Sequence, residues 1–223
     1  MDLTPIFLSL KLACVTTLIL FVIGLPIAYW LSGRSSIPKL IIEAIITMPL
    51  VLPPSVLGFY LLLAFSPKNA LGEWLQEHFN IHLVFSFEGL ILASVIYSLP
   101  FMVSPVKSAF IHLPTSIREA SYTMGKSKFE TLWHVLLPNI KSSLLTAAVL
   151  TFAHTLGEFG VVLMIGGNIP GATKVASIAI YDSVESMDYA NANYYSLILF
   201  SITFVIVLTV FILNRKSAKS PLE

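Results

Sequence analysis

Four long apolar stretches without a charged residue recur along the chain. They cover residues 12–31, 44–67, 89–106 and 190–214, and charged residues lie close to both ends of each stretch. The hydrocarbon core of a bilayer is about 30 Å thick, and a helix needs about 20 apolar residues to cross it. Each of the four stretches is therefore predicted to form a membrane-spanning helix.

A fifth apolar stretch, residues 142–173, is interrupted by Glu158 and by a cluster of glycine and proline at positions 166–171. Such a cluster ends a helix early, so two full spans do not fit in this stretch. We expect one spanning helix that begins near Pro138. Residues 159–189 then form either a re-entrant segment or an external loop, since irregular backbone at membrane depth needs a protein or water-filled covering.

The pattern as a whole predicts an all-α integral membrane protein with five transmembrane helices. Residues 1–223 are expected to form a single transmembrane domain. The predicted spans cover approximately residues 8–32, 41–65, 88–107, 138–158 and 190–213.

The composition supports a membrane protein and excludes several other classes. Hydrophobic residues make up 56% of the chain, charged residues 11%, and the mean hydropathy is +0.85. Soluble domains carry about 25% charged residues, and disordered chains need low hydrophobicity with high net charge. The net charge of +1 leaves no basic surface for nucleic acid. Because Cys14 is the only cysteine, an intramolecular disulfide and a zinc cluster are both excluded.

The distribution of basic residues predicts the orientation. With five spans, two loops and the C-terminal tail share one side of the membrane, and ten of the 13 basic residues lie there. These ten are Arg34, Lys39, Lys107, Arg118, Lys126, Lys128, Lys141, Arg215, Lys216 and Lys219. Basic residues accumulate in cytoplasmic loops. We therefore expect the C-terminus to be cytoplasmic and the N-terminus to be outside. The first apolar stretch is expected to be a retained helix rather than a cleaved signal peptide.

The long cytoplasmic loop, residues 113–138, predicts two short amphipathic helices. Ser116 and Glu119 have the spacing of a capping box directly after Pro114, and Gly125 suits a left-handed C-terminal cap. The apolar positions of the first helix at helical spacing are Ile117, Ala120 and Met124.

The second helix of this loop is predicted to end at Pro138. Its apolar residues, placed on one face by a helical period, are Phe129, Leu132, Trp133 and Leu136. Periodicity alone is compatible with a helix pair on the membrane surface and with a docking element for a cytoplasmic partner.

Residues 118–125, Arg-Glu-Ala-Ser-Tyr-Thr-Met-Gly, continue to a Leu-Leu-Pro ending at residues 136–138. This pattern resembles the EAA loop of ATP-binding cassette (ABC) transporter permeases, with Ser121 where a second alanine is usual. The resemblance implies a type I importer permease fold in which residues 114–136 form coupling helices that insert into a groove of the ATPase. It assigns this coupling to Arg118, Glu119, Ala120, Met124, Gly125, Leu137 and Pro138.

Three further segments resemble the molybdate permeases within that family. They are the proline-rich residues 48–58, the Leu-Gly-Glu-Phe-Gly of residues 156–160, and residues 167–173. Sulfate and thiosulfate permeases share the Gly-Glu-aromatic-Gly element but usually carry additional N-terminal length. The resemblance extends from about Leu8 to Leu213.

The resemblance implies a non-catalytic permease subunit in the bacterial inner membrane that transports molybdate. Sulfate, thiosulfate or tungstate are alternative cargoes, and a non-transporting membrane anchor is the alternative from another class. Five helices are too few to enclose a regulated pathway, so a homodimer is expected. Its other expected partners are two cytoplasmic ATPase subunits, which bind the ATP and Mg²⁺, and an external oxyanion-binding protein. No cofactor is expected on this chain itself.

Three prolines of the second span are candidates for a pore or gate. Pro49, Pro53 and Pro54 lack an N–H, so the helix must lose backbone hydrogen bonds there. The resulting kink can serve as a gate or can be static, and the sequence leaves both readings open.

Glu158 is a further candidate, because a carboxyl group within an apolar stretch indicates function by default. An acid on the pathway would repel a divalent oxyanion, so we favour a structural or gating role over a role as cargo ligand. The flanking Gly157 and Gly160 suggest close helix packing or a bend.

No catalytic or metal site is expected. His78 and His82 lie four residues apart beside two glutamates, but no third ligand is fixed by spacing, and they are interpreted as surface histidines. His154, a lone histidine in the fourth span, cannot form a bis-histidine haem site. Residues 166–174 lack the Gly-Lys-Ser/Thr of a phosphate-binding loop.

Overall fold

The computed structural model describes residues 2–218, and within that range the chain is helical with no β-strand. Its α-helices are α1 (Thr4–Leu31), α2 (Ile37–Val51), α3 (Pro54–Phe65), α4 (Ala70–Phe79), α5 (Phe87–His112), α6 (Thr115–Thr123), α7 (Lys128–Thr131), α8 (Leu137–Asn139), α9 (Lys141–Leu156), α10 (Gly160–Gly166), α11 (Ala176–Glu185) and α12 (Tyr189–Ala218). A π-helical turn, Leu132–Leu136, connects α7 to α8.

Three helices in the described range, α1, α5 and α12, are long and apolar enough to cross a membrane. Two further stretches qualify only as bent pairs. The axes of α2 and α3 differ by 115°, and the helical stretch Lys128–Asn139 meets α9 at 77°. The described chain therefore has three spans, or up to five if each bent pair counts as one.

The second predicted span is broken rather than kinked. α2 ends at Val51, and Leu52 and Pro53 are extended, with ψ of 138° and 133°. Pro54 then begins α3, while Pro49 lies inside α2. Two consecutive residues without an N–H stop the hydrogen-bond ladder, and the extended backbone between the helices redirects the chain.

The segment after Glu158 is folded against the helices. α10 packs on α3 and α5, and its buried residues Val161, Val162 and Ile165 share a core cluster with Leu12 and Leu90. The turn that follows is closed by Thr173, whose hydroxyl donates to the Gly166 carbonyl at 2.7 Å. This segment is therefore a short helix, a closed turn and α11, all packed on the helical core.

A second core cluster extends from the membrane helices to the loop after α5. It joins Val106 and Phe110 of α5 to Leu136, Leu137 and Ile140, all of which are buried. The end of the loop is thus packed into the same core as the central pair, α1 and α5.

The C-terminal tail carries three of the ten basic residues of the predicted cytoplasmic side. Arg215 and Lys216 belong to the last turns of α12, while Lys219 lies outside the described residues.

α3 approaches α10 closely because Gly58 has no side chain. This packing predicts that alanine at Gly58 lowers stability, whereas alanine at Gly157 does not. A Cβ at Gly58 would lie 2.8 Å from the Cβ of Met164 and 3.1 Å from the Cα of Val161. Overpacking of this kind costs about 1–3 kcal/mol, so Gly58→Ala should lower the melting temperature of the detergent-solubilised protein.

Gly157→Ala is the matched control, because its Cβ would meet no atom nearer than 3.8 Å. It should melt at the wild-type temperature or slightly above. Equal melting temperatures for the two variants would contradict the packing of α3 on α10.

Candidate coupling element and translocation cleft

The first helix of the cytoplasmic loop begins two residues earlier than a Ser116 cap would require. Pro114 is the N-cap residue of α6, no side chain caps the helix, and Ser116 lies inside the first turn. The predicted capping box between Ser116 and Glu119 is therefore wrong.

A capping box forms at α7 instead. Ser127 Oγ accepts a hydrogen bond from the Glu130 N–H at 3.2 Å, and Glu130 Oε2 accepts one from the Ser127 N–H at 2.8 Å. The bond from the Ser127 backbone is the main cause of the lowered pKa of Glu130, since it stabilises the carboxylate form. This box starts the second helix of the loop.

Gly125 has the left-handed conformation predicted for it, with a φ of +78°. Its N–H donates to the Tyr122 carbonyl at 2.9 Å, and the Lys126 N–H donates to the Ser121 carbonyl at 3.2 Å. A positive φ is accessible to glycine at little cost, so the sharp reversal between α6 and α7 depends on this residue.

Ser121 joins the two loop helices. Its hydroxyl and that of Thr131 are both buried and lie 2.9 Å apart in a hydrogen bond. The serine that replaces the usual alanine is thus small enough for the close approach and also bonds across it. Together with the Gly125 turn, this bond makes α6 and α7 one compact unit, the coupling element (residues 114–138).

Three large apolar side chains of the coupling element are more than half exposed. Met124 is 77% exposed, Phe129 70% and Trp133 52%, and the rings of Phe129 and Trp133 lie 6.0 Å apart between centroids. Leu136, predicted on the same face as these rings, is buried instead. The π-helical turn explains the difference, because its i→i+5 bonds rotate later residues relative to a 3.6-residue period.

The remaining predicted coupling residues differ in their surroundings. Glu119 and Ala120 are exposed, while Arg118 is half-buried beside a cavity of about 140 Å³. Leu137 is buried in the core. Pro138 does not end the helix, because the chain remains helical to Asn139 and bends at Ile140. A proline in the first turn of α8 is compatible with helix, since the first N–H groups have no intrahelical acceptor.

The break between α2 and α3 and the break between α9 and α10 border one cleft of about 620 Å³. The start of α3 lies on one side, Tyr97 of α5 and His154 of α9 contribute ring side chains, and the α9–α10 break forms the rest. The residues lining this cleft are Pro54, Ser55, Tyr97, Ala153, His154, Gly157, Glu158, Phe159 and Gly160. Four of the six predicted pore or gate residues are thus brought together, whereas Pro49 and Pro53 do not line the cleft.

Glu158 connects three segments although it is only 4% exposed. Its Oε2 accepts a hydrogen bond from Ser94 Oγ of α5 at 2.7 Å, and its backbone carbonyl accepts one from Ser177 Oγ of α11 at 2.6 Å. Its other carboxyl oxygen, Oε1, is buried without a partner among the described residues. Glu158 therefore both fastens the α9–α10 break and presents an unpaired oxygen.

The two glycines beside Glu158 have different roles. Gly157 caps α9 and contacts nothing closely, so it marks the bend. Gly160 packs against α3, because a Cβ there would lie 2.9 Å from the Cβ of Pro54 and 3.4 Å from the nitrogen of Ser55. Of the two expectations, bending applies at Gly157 and close packing at Gly160.

The sequence does not predict the contacts of several residues in or near the cleft. His154 has no partner motif in the sequence, yet its ring stacks on Phe101 with centroids 3.8 Å apart and its Nε2 is buried without a partner in the described chain. Ser94 and Ser98 lie one helical turn apart on α5, and Ser98 bonds Thr155 at 2.9 Å. Their i, i+4 spacing is the signal that points to a polar face on α5.

The sequence comparisons agree with this architecture. The family described as "binding-protein-dependent transport system inner membrane component" matches residues 20–220. The molybdenum transport system permease protein ModB of Azotobacter vinelandii is 46% identical over 202 residues, covering 90% of this chain and 89% of the relative. ModB of Escherichia coli K12 is 32% identical and covers 81% and 79%. A probable sulfate transport system permease protein of Marchantia polymorpha is 34% identical and covers 81% and 62%.

Two solved structures share the fold at low sequence identity. The MetNI methionine ABC transporter in an inward-facing conformation matches with a TM-score of 0.72 at 19% identity, covering 95% of this chain and 94% of the other. A bacterial ABC transporter that imports alginate matches with a TM-score of 0.79 at 16% identity, covering 96% and 79%. The chain belongs to the binding-protein-dependent transport system inner membrane component family, whose members are non-catalytic permease subunits of ABC importers.

Proposed function

We propose that the chain is the permease subunit of an ATP-driven molybdate importer. The observation that carries this proposal is the 46% identity with a molybdenum permease over nearly the full length of both chains. The sulfate relative is less similar, and this chain spans only 62% of its length. Sulfate, thiosulfate and tungstate remain the alternative cargoes, since all are oxyanions of similar shape.

The exposed apolar surface of the coupling element is the proposed docking site for the ATPase. Met124, Phe129 and Trp133 project from a unit that the Gly125 turn and the Ser121–Thr131 bond hold together. Large apolar side chains that a rigid scaffold holds exposed are typical anchors for a groove on a partner. ATP and Mg²⁺ bind to that partner.

Movement of the coupling element is transmitted through the core. Leu136 and Ile140 pack in the same cluster as Val106 and Phe110 of α5, and α5 carries Tyr97 at the cleft. The docking surface and the cleft are thus connected through one helix. Closure of the ATPases on ATP therefore biases the cleft between its outward and inward states.

The complete transporter is proposed to be a homodimer with two ATPases. The cleft of one chain is an open groove, and a two-fold axis beside it would complete the pathway with a second copy. An external oxyanion-binding protein delivers the cargo, with the N-terminus outside and the C-terminus in the cytoplasm.

Uptake by the assembled complex tests the cargo. Vesicles that contain the permease, its ATPase and its binding protein should accumulate labelled molybdate when ATP is present. Unlabelled molybdate should compete efficiently and sulfate poorly. Efficient competition by sulfate alone would reassign the cargo, and absence of cargo-stimulated ATP hydrolysis would favour a non-transporting anchor.

Gly125→Val tests the coupling element. Valine is strained at a φ of +78°, by about 1–2 kcal/mol or more, and the turn between α6 and α7 should open. The variant should insert into the membrane at the wild-type level but lose most ATPase binding in pull-down and most uptake.

Gly171→Val is the control, because valine meets the same backbone strain there as at Gly125. Gly171 has a φ of +76°, and, as at Gly125, a Cβ added there would have no atom within 4 Å. Because Gly171 lies in the turn before α11, this variant should retain ATPase binding. Wild-type transport by Gly125→Val would count against the docking assignment.

A further inference from the structure

A second cavity lies between α5 and α9, at the end of α5 that leads to the coupling element. This inner cavity has a volume of about 520 Å³, and none of the described residues that line it is Asp, Glu, Lys or Arg. Its polar groups are hydroxyl, imidazole and amide groups. They come from Ser108 and His112 of α5, from Ser143 and Thr146 of α9, and from Asn214 of α12.

The cleft and the inner cavity lie along the same sides of α5 and α9. Tyr97 of the cleft and Ser108 of the inner cavity are about 11 residues apart, which is close to three full turns of helix. Thr146 and Ala153 of α9 are about seven residues apart, or close to two turns. Because α5 and α9 pack on each other, the two cavities follow one another along one groove, the α5–α9 groove, roughly 16 Å apart along α5.

The inner part of this groove is polar although it belongs to a membrane-spanning helix. Ser104, Ser108 and His112 recur at four-residue intervals on α5, and all three are exposed. Asn214 donates a hydrogen bond to Thr146 Oγ1 at 2.7 Å across the groove. By contrast, the middle of α12 exposes large apolar side chains. Lipid tails offer no hydrogen-bond partners, so this polar surface is typical of a water-filled groove.

Aromatic rings lie between the two cavities. The His154 ring of α9 stacks on the Phe101 ring of α5 with centroids 3.8 Å apart, and its centroid is 4.9 Å from that of Tyr97. Phe101 lies between Tyr97 and Ser108 along α5 and lines neither cavity. Apolar constrictions in a pore exclude water and ions until they widen. The Phe101–His154 pair is therefore in the position of a barrier.

We propose that the α5–α9 groove is the inner half of the anion's path and that the Phe101–His154 pair is its barrier, an inference that rests on the proposed function. The anion crosses with its hydration shell, since no Lys or Arg among the described lining residues of the inner cavity could replace that shell. Movement of the coupling element reaches the barrier through α5, where Phe110 shares a core cluster with Leu136. Separation of the two rings then joins the cavities.

Thiol labelling tests the groove. Single cysteines are placed in a Cys14→Ala chain, and the permease–ATPase complex is treated in inverted membrane vesicles with a charged, membrane-impermeant methanethiosulfonate. Ser108→Cys should react at least about tenfold faster than Leu145→Cys, because a thiol ionises readily only in contact with water. Leu145 is the matched control, since it is 37% exposed next to Thr146 but does not line the inner cavity. Equal rates would overturn the groove.

The same reagent tests the barrier. Ser55→Cys is an equivalent exchange in the cleft, and from the ATPase side it should react at least about tenfold more slowly than Ser108→Cys. Phe101→Ala should remove most of this difference, and His154→Ala replaces it if that variant does not assemble. Phe200→Ala is the control, because this 69% exposed ring of α12 lines neither cavity. Equal rates with the ring pair intact, or a difference that loss of a ring leaves unchanged, would overturn the barrier.

Uptake connects the groove to transport. The complex with labelled Ser108→Cys, reconstituted with ATP inside and binding protein outside, should take up molybdate at least about tenfold more slowly than the unlabelled complex, because the attached group obstructs the pore. Labelled Leu145→Cys should keep its unlabelled rate. Full uptake by labelled Ser108→Cys would overturn the path and leave the proposed function intact. Absence of molybdate, tungstate or sulfate uptake by the wild-type complex would overturn the proposed function itself.

Discussion

Backbone polar groups at membrane depth must find partners, and the arrangement of this chain depends on how two interrupted helices satisfy that requirement. α2 stops before Pro53, and α9 stops at Gly157. The two interruptions lie against each other, so the start of α3 and the end of α9 line one cleft. The Ser177 hydroxyl donates a hydrogen bond to one carbonyl that the break leaves free, that of Glu158. A polar site is thus a direct product of the breaks.

The same interruptions determine which residues can pack around them. α3 and α10 approach closely because Gly58 and Gly160 have no side chain, and both helices also pack on α5. α5 continues as one helix to the coupling element, with Pro100 and Pro105 inside it. About 13 residues separate Tyr97 from Phe110, which is roughly 20 Å of helix. In the proposed importer, the docking surface therefore acts on the cleft through a helix that contains two weakened turns.

The features that depend on chain-local chemistry are predictable from the amino-acid sequence. Uncharged stretches match α1, α5 and α12, and Gly125 adopts its left-handed cap. Features that depend on tertiary packing are not. Proline shows that a hydrogen bond is missing but not how far the chain turns, so the sequence predicts a kink where the chain breaks at Pro53. The π-helical turn after Thr131 has no signature in a 3.6-residue period, so the sequence does not predict that Leu136 is buried while Phe129 and Trp133 are exposed.

A cleft with no lysine or arginine among the described residues that line it suits a protein that must pass an anion rather than keep it. A divalent oxyanion among full positive charges would be held tightly, and each release would need the whole of that interaction to be broken. A helix end and neutral donors offer a fraction of this attraction. Such a site cannot discriminate strongly between similar tetrahedral anions. In the proposed importer, selection among them therefore belongs to the external binding protein, and the energy of ATP is used to change access to the cleft.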